Sequence, residues 1–335
     1  MPTRCPPRRS RNYSRKGPGS RRPSRVIIDM DGGIDDALAL ILALRSPELE
    51  VAGITAVSGN VPVQQATING LRVVELLDRS DVWVAQGLGN PLFRDPIRAT
   101  AFHGSDGLGD SNLPLPKLSP AGKPALNAIL ETLASSKRQS ITIICTGPLT
   151  NIAALLTEFP DAKGMIEEIV IMGGAYFVTK YGFGNETPVA EFNVCSDPEA
   201  AKIVFEAGVP VKAVGLDVTM NPLVQLTKKD YDRLRNRKGR VSAFASSILK
   251  SNMKTYGRFA LHDPMAVAVK IKPSFFQFEN YHAQVETKGE YTLGMTVADR
   301  RDWLPDDKLV GKPVMVCTSA DPKFKNLFLT RLTAA

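Results

Sequence analysis

The sequence has 335 residues, of which 42 are Lys or Arg and 34 are Asp or Glu, and its formal net charge is +8. Hydrophobic residues at 43% and charged residues at 23% are ordinary globular values that exclude a fibrous or wholly disordered chain, and no apolar run approaches the ~18–20 residues of a membrane helix. The four cysteines lie far apart with no C-x-x-C pair, so neither a disulfide framework nor a cysteine zinc site is indicated.

The positive charge is concentrated at the amino terminus. Residues 1–25 contain nine Lys or Arg, five prolines and no acid, whereas the remaining 310 residues hold 33 bases and 34 acids. We therefore predict a disordered basic tail at residues 1–25 and a single domain at residues 26–335. A tether to nucleic acid or an acidic surface, an organellar targeting segment and a passive extension all fit the tail. The near-neutral body argues against nucleic acid as a partner.

From Val26 onward, short apolar strands alternate with helices. Strands are predicted at residues 26–28, 51–57, 82–85, 141–145, 169–172 and 209–214, and later at 282–287, 294–298 and 313–318. Helices are predicted at residues 37–44, 63–77, 149–159, 198–207, 265–271 and 321–333, with a long helical region at 228–256. Two long loops, residues 88–122 and the segment from Met172 to Asp197, interrupt the alternation. Loops of that length in a compact domain are usually functional.

This order of elements predicts an α/β fold in a single domain. Continuously apolar strands indicate an open, mostly parallel, Rossmann-like sheet with helices on both faces. Right-handed crossovers then bring the carboxyl ends of the parallel strands to one edge, where ligands bind in such sheets.

Four carboxylates follow the first predicted strand within eight residues, as Asp29, Asp31, Asp35 and Asp36 in the pattern D-x-D-x-x-x-D-D. Carboxylates gathered at one edge repel one another, and a cation is their natural compensation. Oxygen ligands favour a hard cation, Ca²⁺ or Mg²⁺, over zinc. Asp35 and Asp36 alone would equally suit the first turn of a helix, where acids complement the dipole. Asp29 and Asp31, at a strand end, favour the metal.

Further polar candidates lie at later strand ends and in the long loops. Asn60 follows the second strand, Thr146 follows the fourth, and Met172 ends the fifth, although Met172 suits the core equally well. Among the three histidines, His262 precedes an acid at a helix start and is the better candidate for acid–base chemistry. His103 lies in a Gly-rich loop, and His282, in a late strand, is expected to be structural.

Taken in order, these segments resemble the inosine–uridine-preferring nucleoside hydrolase family. The resemblance covers roughly residues 26–333. The matching segments are IIDMDGGIDDALAL, TAVSGN, FHGSDGLG, TGPLTNIA, IVIMGGAY, GNETPVAEFN and HDPMAVA. Seven ordered matches are far more specific than a lone D-x-D. The resemblance implies a nucleoside hydrolase-like fold and hydrolysis of the N-glycosidic bond of purine or pyrimidine ribonucleosides to ribose and free base.

The resemblance also implies roles for individual residues. Ca²⁺ would be bound by the carboxylates of Asp31, Asp36 and Asp263 and by the carbonyl of Thr146, with Asp29 in support. The substrate would be held by Asp35 and Asn60 at the ribose 2′- and 3′-hydroxyls, by Asn185, Glu191 and Asn193 at the 5′ side, by Met172 and Phe192 against the sugar, and by His103 and His262 at the base.

The chemistry of ribosyl transfer accounts for these residue types. Positive charge develops on the sugar, so carboxylates and amides around it stabilise the transition state. Ca²⁺ acidifies water far less than Zn²⁺ does, so a carboxylate base is still required, and we assign this role to Asp31. His262 is predicted to donate a proton to the leaving base. We further expect a homodimer or homotetramer located in the cytoplasm, or in an organelle if the tail targets it.

Three features depart from the family pattern. Gly32 replaces the proline of the usual D-x-D-P-G motif, the loop between Met172 and Asn185 is longer than usual, and the segment before His262 matches no subclass. That segment contains Tyr256 and Phe259, which are candidates for stacking on a base.

Two alternatives belong to other functional classes. An Mg²⁺-dependent phosphohydrolase with an Asp nucleophile would explain residues 29–31 but not Asp35 and Asp36. A non-enzymatic nucleoside- or nucleic-acid-binding protein would depend on the basic tail.

Overall fold

A computed structural model describes residues 22–334 of the chain. Residues 1–21, which make up most of the predicted tail, lie outside the described residues. The first strand begins at Ser24 and pairs there with Leu49, so Ser24 and Arg25 belong to the sheet and not to the tail. Within the described part of the chain, no helix is long and apolar enough to cross a bilayer.

Within residues 22–334, nine strands form one sheet in the order β10-β9-β11-β6-β5-β4-β1-β2-β3. Their bounds are β1 Ser24–Met30, β2 Leu49–Ala56, β3 Trp83–Gln86, β4 Ile141–Cys145, β5 Ile166–Met172, β6 Val211–Val214, β9 Phe276–Val285, β10 Thr296–Asp299 and β11 Lys312–Ala320. Strands β1 to β6 pair in parallel, and β11 pairs in parallel with β6, while β9 is antiparallel to both β10 and β11. Two short strands, β7 (Leu226–Thr227) and β8 (Arg258–Phe259), form a separate antiparallel ribbon.

Helices cover the sheet and connect its strands. Their bounds are α1 Ile34–Leu44, α2 Val63–Leu76, α3 Thr100–His103, α4 Ala125–Ala134, α5 Thr150–Glu158, α6 Phe192–Ser196, α7 Pro198–Glu206, α8 Leu216–Thr219, α9 Lys228–Arg235, α10 Arg240–Tyr256, α11 His262–Ile271 and α12 Lys323–Thr333. The predicted mostly parallel α/β sheet is confirmed. Helix α1 is buried along its whole length, as the apolar run at residues 37–44 predicts for all but its first turn.

Several elements differ from the prediction. Helix α4 lies in a segment for which no element is predicted. The predicted helical region 228–256 is two helices, because Gly239 takes a φ of 137° that no helix tolerates. Strand β9 begins at Phe276, six residues before the predicted 282. Much of its first half is exposed and polar, so the apolar run that marks a buried strand covers only part of it.

The parallel pairing fixes where the polar side chains meet. The carboxyl ends of β1, β2, β4, β5 and β6 lie along one edge, and the turns and helices that follow them begin there. Asp29 lies at the end of β1, α1 begins two residues after Gly32, and Thr146 follows β4 directly. Residues far apart in the chain are thereby brought to one place.

Candidate active site

Buried carboxylates form the centre of this edge. Asp31, Asp35, Asp36 and Asp263 are between 0% and 6% exposed. Asp35 and Asp36 lie in the first turn of α1 and Asp263 in the first turn of α11. Asp35, Asp36 and Asp263 each place a carboxylate oxygen within 4.8 Å of the others. Two acids of the pattern D-x-D-x-x-x-D-D thus meet an acid of α11, and Asp31 interacts with Asp36 beside this cluster.

Neighbouring polar groups orient three of the acids. The Gly33 N–H donates to Asp36 Oδ2 at 2.7 Å, and the Thr146 hydroxyl donates to Asp36 Oδ1 at 2.6 Å. The backbone N–H and side-chain amide of Asn60 donate to the two oxygens of Asp31 at 2.7 and 2.8 Å. Asp29 accepts hydrogen bonds through Oδ1 from the side chains of Thr55 and Asn151. This shell holds the carboxylates in fixed directions.

Two carboxylate oxygens of these acids receive no hydrogen bond from the described chain. Asp29 Oδ2 and Asp35 Oδ1 are buried and have no hydrogen-bond partner. In residues 22–334, no Lys or Arg lies within 4.0 Å of these acids, and only His103 approaches Asp35, at 3.8 Å. Buried acids without a cationic partner are costly, because the charged form loses its hydration.

Burial raises the pKa of every acid in the group, and except at Asp36 the charge of neighbouring acids raises it further. The pKa of Asp29 rises to about 7 and that of Asp35 to about 8. Burial and then the charge of Asp36 raise the pKa of Asp31, while burial and then the charge of Asp35 raise that of Asp263. A bound divalent cation would reverse this penalty, and the all-oxygen donor set fits a hard cation. The residues present therefore fit a metal ion.

A cavity of about 540 Å³ opens beside the acids. Eleven of the residues predicted for the site line it, namely Asp35, Asn60, His103, Thr146, Met172, Asn185, Glu191, Phe192, Asn193, His262 and Asp263. Asp29, Asp31 and Asp36 do not line it, and each is at most 1% exposed. His282 lies on β9 and does not line the cavity either.

The loop after β5 supplies one wall of the cavity. The Glu191 carboxylate accepts the backbone N–H groups of Gly174, Asn193 and Val194 at 2.8–3.0 Å. The Asn193 amide donates to the carbonyl oxygens of Thr146 and Met172, each at 3.0 Å. Asn185 reaches the cavity although its loop is long, because its Oδ1 accepts the N–H of Phe192 at 3.0 Å.

Two histidines also line the cavity. His103 Nδ1 accepts the backbone N–H of Ile34 at 3.1 Å, so its ring proton lies on Nε2. His262 Nδ1 lies 2.8 Å from the hydroxyl of Thr219. Burial lowers the pKa of His103 to about 3 and that of His262 to about 4. Both rings are therefore neutral at pH 7.

The structure adds residues to the predicted lining of the cavity, and it places Tyr256 and Phe259, the two predicted candidates for stacking on a base. Phe102 stacks on the rings of Tyr256 and Phe259, with both centroid distances 5.8 Å. Tyr256 lines the cavity, whereas Phe259 is buried in the core and does not. The other additions are Ala99, Glu186, Met220, Gln225, Arg258 and Ala260. Phe102 and Glu186 belong to the matched segments FHGSDGLG and GNETPVAEFN, but the other additions belong to segments without a match.

The two glycines of the turn after β1, Gly32 and Gly33, meet different structural requirements. Gly32 takes a φ of +80°, which a proline ring cannot adopt, so this turn is built differently from one containing the usual proline. At Gly33, a Cβ would lie 2.5 Å from Asn60 Nδ2 and 2.8 Å from His103 Nδ1. Gly33 thus lets two site residues approach the start of α1.

The family model described as inosine-uridine preferring nucleoside hydrolase matches residues 26–326. The chain belongs to this family. Pyrimidine-specific ribonucleoside hydrolase RihA of Salmonella paratyphi C is 43% identical over 281 residues, which cover 82% of this chain and 88% of that protein. RihA of Escherichia coli O7:K1 is 42% identical over the same length, 281 residues, with the same 82% and 88% coverage.

Solved structures agree with this assignment. A plant nucleoside hydrolase, PpNRh1, has a TM-score of 0.85 at 32% identity and covers 93% of this chain and 100% of its own. A purine-preferring ribonucleoside hydrolase from Gardnerella vaginalis has a TM-score of 0.81 at 33% identity, covering 92% and 98%. This nucleoside hydrolase family member is therefore a ribonucleoside N-glycosidase, which releases ribose and a free base. The predicted fold and activity are confirmed, and the phosphohydrolase and non-enzymatic alternatives are set aside.

Proposed function

We propose that the enzyme hydrolyses ribonucleosides with Ca²⁺ held by the carboxylates of Asp31, Asp36 and Asp263 and by the carbonyl of Thr146. One observation carries this proposal. In the described chain, a cluster of buried acids forms no ion pair with a Lys or Arg side chain within 4.0 Å, and it adjoins a cavity of about 540 Å³. Ca²⁺ suits the site because it accepts carboxylate and carbonyl oxygens in irregular geometry, whereas Mg²⁺ demands a near-octahedral shell and keeps its waters.

When bound, Ca²⁺ would offset the charge of the acids and orient a water molecule and the ribose hydroxyls. Asp31 is then the base that takes a proton from the attacking water. Its two oxygens each accept one hydrogen bond from Asn60, which leaves a lone pair on each oxygen for this purpose. Asp29 supports the cluster from the end of β1, through its bonds to Thr55 and Asn151.

The sugar is held between two groups of residues. Asp35 and Asn60 bind the 2′- and 3′-hydroxyls, and Asn185, Glu191 and Asn193 bind the 5′ side, with Met172 and Phe192 against the ring. Glu191 is fixed by three backbone N–H groups and cannot swing away. Carboxylates fixed around the sugar stabilise the positive charge that develops on it, and they need no reorganisation during the reaction.

His103 and His262 face the base. Because burial keeps His262 neutral at pH 7, it donates through a ring N–H and stabilises negative charge on the departing base. A lowered pKa favours this hydrogen-bond donation over proton transfer from an imidazolium. Water attacks from the face opposite the base, so the ribose product forms with inversion.

We further propose that pyrimidine ribonucleosides are the preferred substrates. The RihA relatives at 42–43% identity are named as pyrimidine-specific, whereas the purine-preferring structural neighbour is 33% identical. A homodimer or homotetramer and a cytoplasmic location remain predictions from the sequence.

A panel of ribonucleosides tests the proposal. Uridine, cytidine, inosine, adenosine and guanosine are incubated with enzyme treated with chelator, and free base and ribose are measured after Ca²⁺ or Mg²⁺ is restored. We expect release with Ca²⁺, fastest from uridine or cytidine, and none with chelator. If none of the five nucleosides released free base with Ca²⁺, the proposed reaction would be wrong. Full activity in chelator would show that hydrolysis does not require the metal ion.

Asp31→Asn tests the assignment of the base. The amide keeps the shape of the side chain but cannot take a proton, so we expect turnover to fall at least a hundredfold, in line with the loss of a general base. Asp81→Asn, at an exposed acid paired with Arg79, serves as the control and should retain full activity. Near-normal turnover by Asp31→Asn would refute the role of Asp31.

A further inference from the structure

Thr219 lies behind His262 and belongs to no motif. It is the last residue of α8 and is fully buried. Its Oγ1 lies 2.8 Å from His262 Nδ1, although the two residues are 43 positions apart. Thr219 does not line the cavity, whereas the imidazole of His262 does.

The direction of this hydrogen bond follows from the partners available. A threonine hydroxyl has one proton to donate, and burial of a hydroxyl with that proton unbonded is unfavourable. Across residues 22–334, His262 Nδ1 is the sole hydrogen-bond partner of Thr219 Oγ1. The hydroxyl therefore donates to Nδ1. Since a neutral imidazole carries one ring proton, that proton must lie on Nε2.

We propose that Thr219 is a positioning residue that holds His262 in the tautomer protonated at Nε2. Nδ1 is occupied by Thr219, so Nε2 is the ring nitrogen free to meet a ligand. The inference rests on the proposed role of His262 as the donor to the leaving base, and it identifies what makes that nitrogen a donor.

The structure fixes Thr219 firmly enough for this task. Helix α8 follows β6 at the ligand-binding edge, and its Asp217 carboxylate accepts three backbone N–H groups from the loop after β5. They belong to Tyr176, Val178 and Thr179, at 2.8, 2.8 and 3.1 Å. The Thr219 N–H also donates to the carbonyl of Gly215 at 3.2 Å. A hydroxyl anchored in this way needs no rearrangement to hold the ring.

His103 is also held in the tautomer protonated at Nε2, but by a different kind of hydrogen bond. Its Nδ1 accepts a backbone N–H, so that tautomer does not depend on a side chain. The two histidines of the cavity then present two Nε2–H donors toward the base. Of these two donors, only the Nε2–H of His262 is set by a side chain that mutation can remove. Thr219 is therefore the residue to substitute.

The test uses Thr219→Val, which keeps the shape and removes the hydroxyl, and Thr219→Ser, which keeps the hydroxyl. Thr132→Val is the matched control, since Thr132 is also buried but its hydroxyl donates to the Ala128 carbonyl within α4. The first readout is the ¹⁵N NMR spectrum of ¹⁵N-histidine-labelled enzyme. The chain has three histidines, so a His262→Ala spectrum assigns the signals.

In the unaltered enzyme we expect His262 Nδ1 to give the shift of an unprotonated nitrogen and Nε2 that of a protonated one. Thr219→Val should yield a mixture of tautomers, and Thr219→Ser should restore the single form. The turnover number for uridine and inosine should fall about tenfold in Thr219→Val. It should fall less for p-nitrophenyl riboside, whose leaving group needs little help. Thr132→Val should change neither readout.

A protonated Nδ1 in the unaltered enzyme, or an unchanged tautomer in Thr219→Val, would overturn the inference. The proposed role of His262 fails separately, if His262→Ala slows uridine and p-nitrophenyl riboside equally. In that case the NMR result for Thr219 would still decide the tautomer.

Discussion

Asp36 shows how one carboxylate joins the separate segments of the site. It lies in the first turn of α1 and accepts the N–H of Gly33 and the hydroxyl of Thr146. The N–H of Thr146 in turn donates to the carbonyl of Asp29 at 2.7 Å. The turn after β1 and the loop after β4 are therefore fixed to each other by short side chains, and the acids keep their directions without long, flexible linkers.

Gly33→Ala should damage the site without forbidding the fold. Gly33 has a φ of −76°, so its backbone conformation suits alanine. The new Cβ, however, would lie 2.5 Å from Asn60 Nδ2 and 2.8 Å from His103 Nδ1, and both side chains must move. A misplacement of about 1 Å costs roughly a hundredfold in rate, so we expect a loss of that order in kcat/KM.

The matched control is Gly122→Ala, because a Cβ at Gly122 would meet nothing within 4 Å. Its kcat/KM for uridine should equal that of the unaltered enzyme. If Gly33→Ala were equally active, the close packing of Asn60 and His103 on the start of α1 would not matter for catalysis.

At the scale of elements, the helix–strand unit α10–β8 forms the part of the cavity that the family motifs leave open. Tyr256 ends α10 and is 56% exposed, while Phe259 in β8 is buried. Both rings stack on Phe102 at an interplanar angle of 27°. The buried ring supports Phe102, and the exposed ring extends the aromatic surface into the cavity.

Tyr256→Ala should weaken substrate binding more than turnover. An aromatic contact contributes about 0.5–1.5 kcal/mol, so we expect KM for uridine to rise about fivefold with kcat changed less than twofold. Stability should hardly change, because the side chain is largely exposed. Tyr291→Ala, at a tyrosine that is 81% exposed and lies outside the cavity, is the control. An unchanged KM in Tyr256→Ala would show that the base does not contact this ring.

The same elements show which residues of the site could be predicted from the sequence and which could not. The acids after β1 could be placed from the sequence because strand, turn and helix are contiguous and each has its own pattern. Thr219 could not, because α8 is a four-residue helix with no periodicity and its partner lies 43 positions away. Met220 and Gln225 line the cavity from an irregular segment, where neither propensity nor spacing indicates which way a side chain faces.

At the scale of the whole molecule, positive charge is concentrated in the first 25 residues. Residues 1–25 carry nine Lys or Arg and no acid, and the other 310 residues hold 33 bases and 34 acids. Ribonucleosides are uncharged and need no basic groove. Among the described residues that line the cavity, Arg258 is the sole Lys or Arg, against four acids. The described residues of the cavity therefore form no basic groove.

Removal of residues 1–21 should leave catalysis intact. The first strand begins at Ser24, so the sheet keeps all its residues. We expect kcat/KM for uridine to stay within twofold of that of the full chain, at both low and high salt. Any binding to an anionic polymer such as heparin should disappear with the tail. A large loss of hydrolysis in the truncated protein would show that the tail contributes to the site.

The buried acids also predict how stability depends on pH and Ca²⁺. Burial raises the pKa of Asp29 to about 7 and of Asp35 to about 8, so the folded, metal-free protein binds more protons than the unfolded chain between about pH 4 and 8. Stability contributed by these protonated acids is therefore complete below about pH 4 and is lost as the pH rises through 7 to 8. Ca²⁺ should oppose this loss, since it binds the ionised acids.

We accordingly expect Tm in chelator to fall as the pH rises from 5 to 8, and the increase in Tm caused by Ca²⁺ to grow over the same range. Calcium at a hundred times its Kd would stabilise the fold by about 2.7 kcal/mol, or a few degrees for a chain of this size. Other titrating groups contribute equally with and without Ca²⁺, so the difference between the two Tm values isolates the site. Asp263→Asn should remove most of that difference. A Ca²⁺-induced shift that is absent, or equal at pH 5 and pH 8, would mean that the ion does not bind the ionised acids of this cluster.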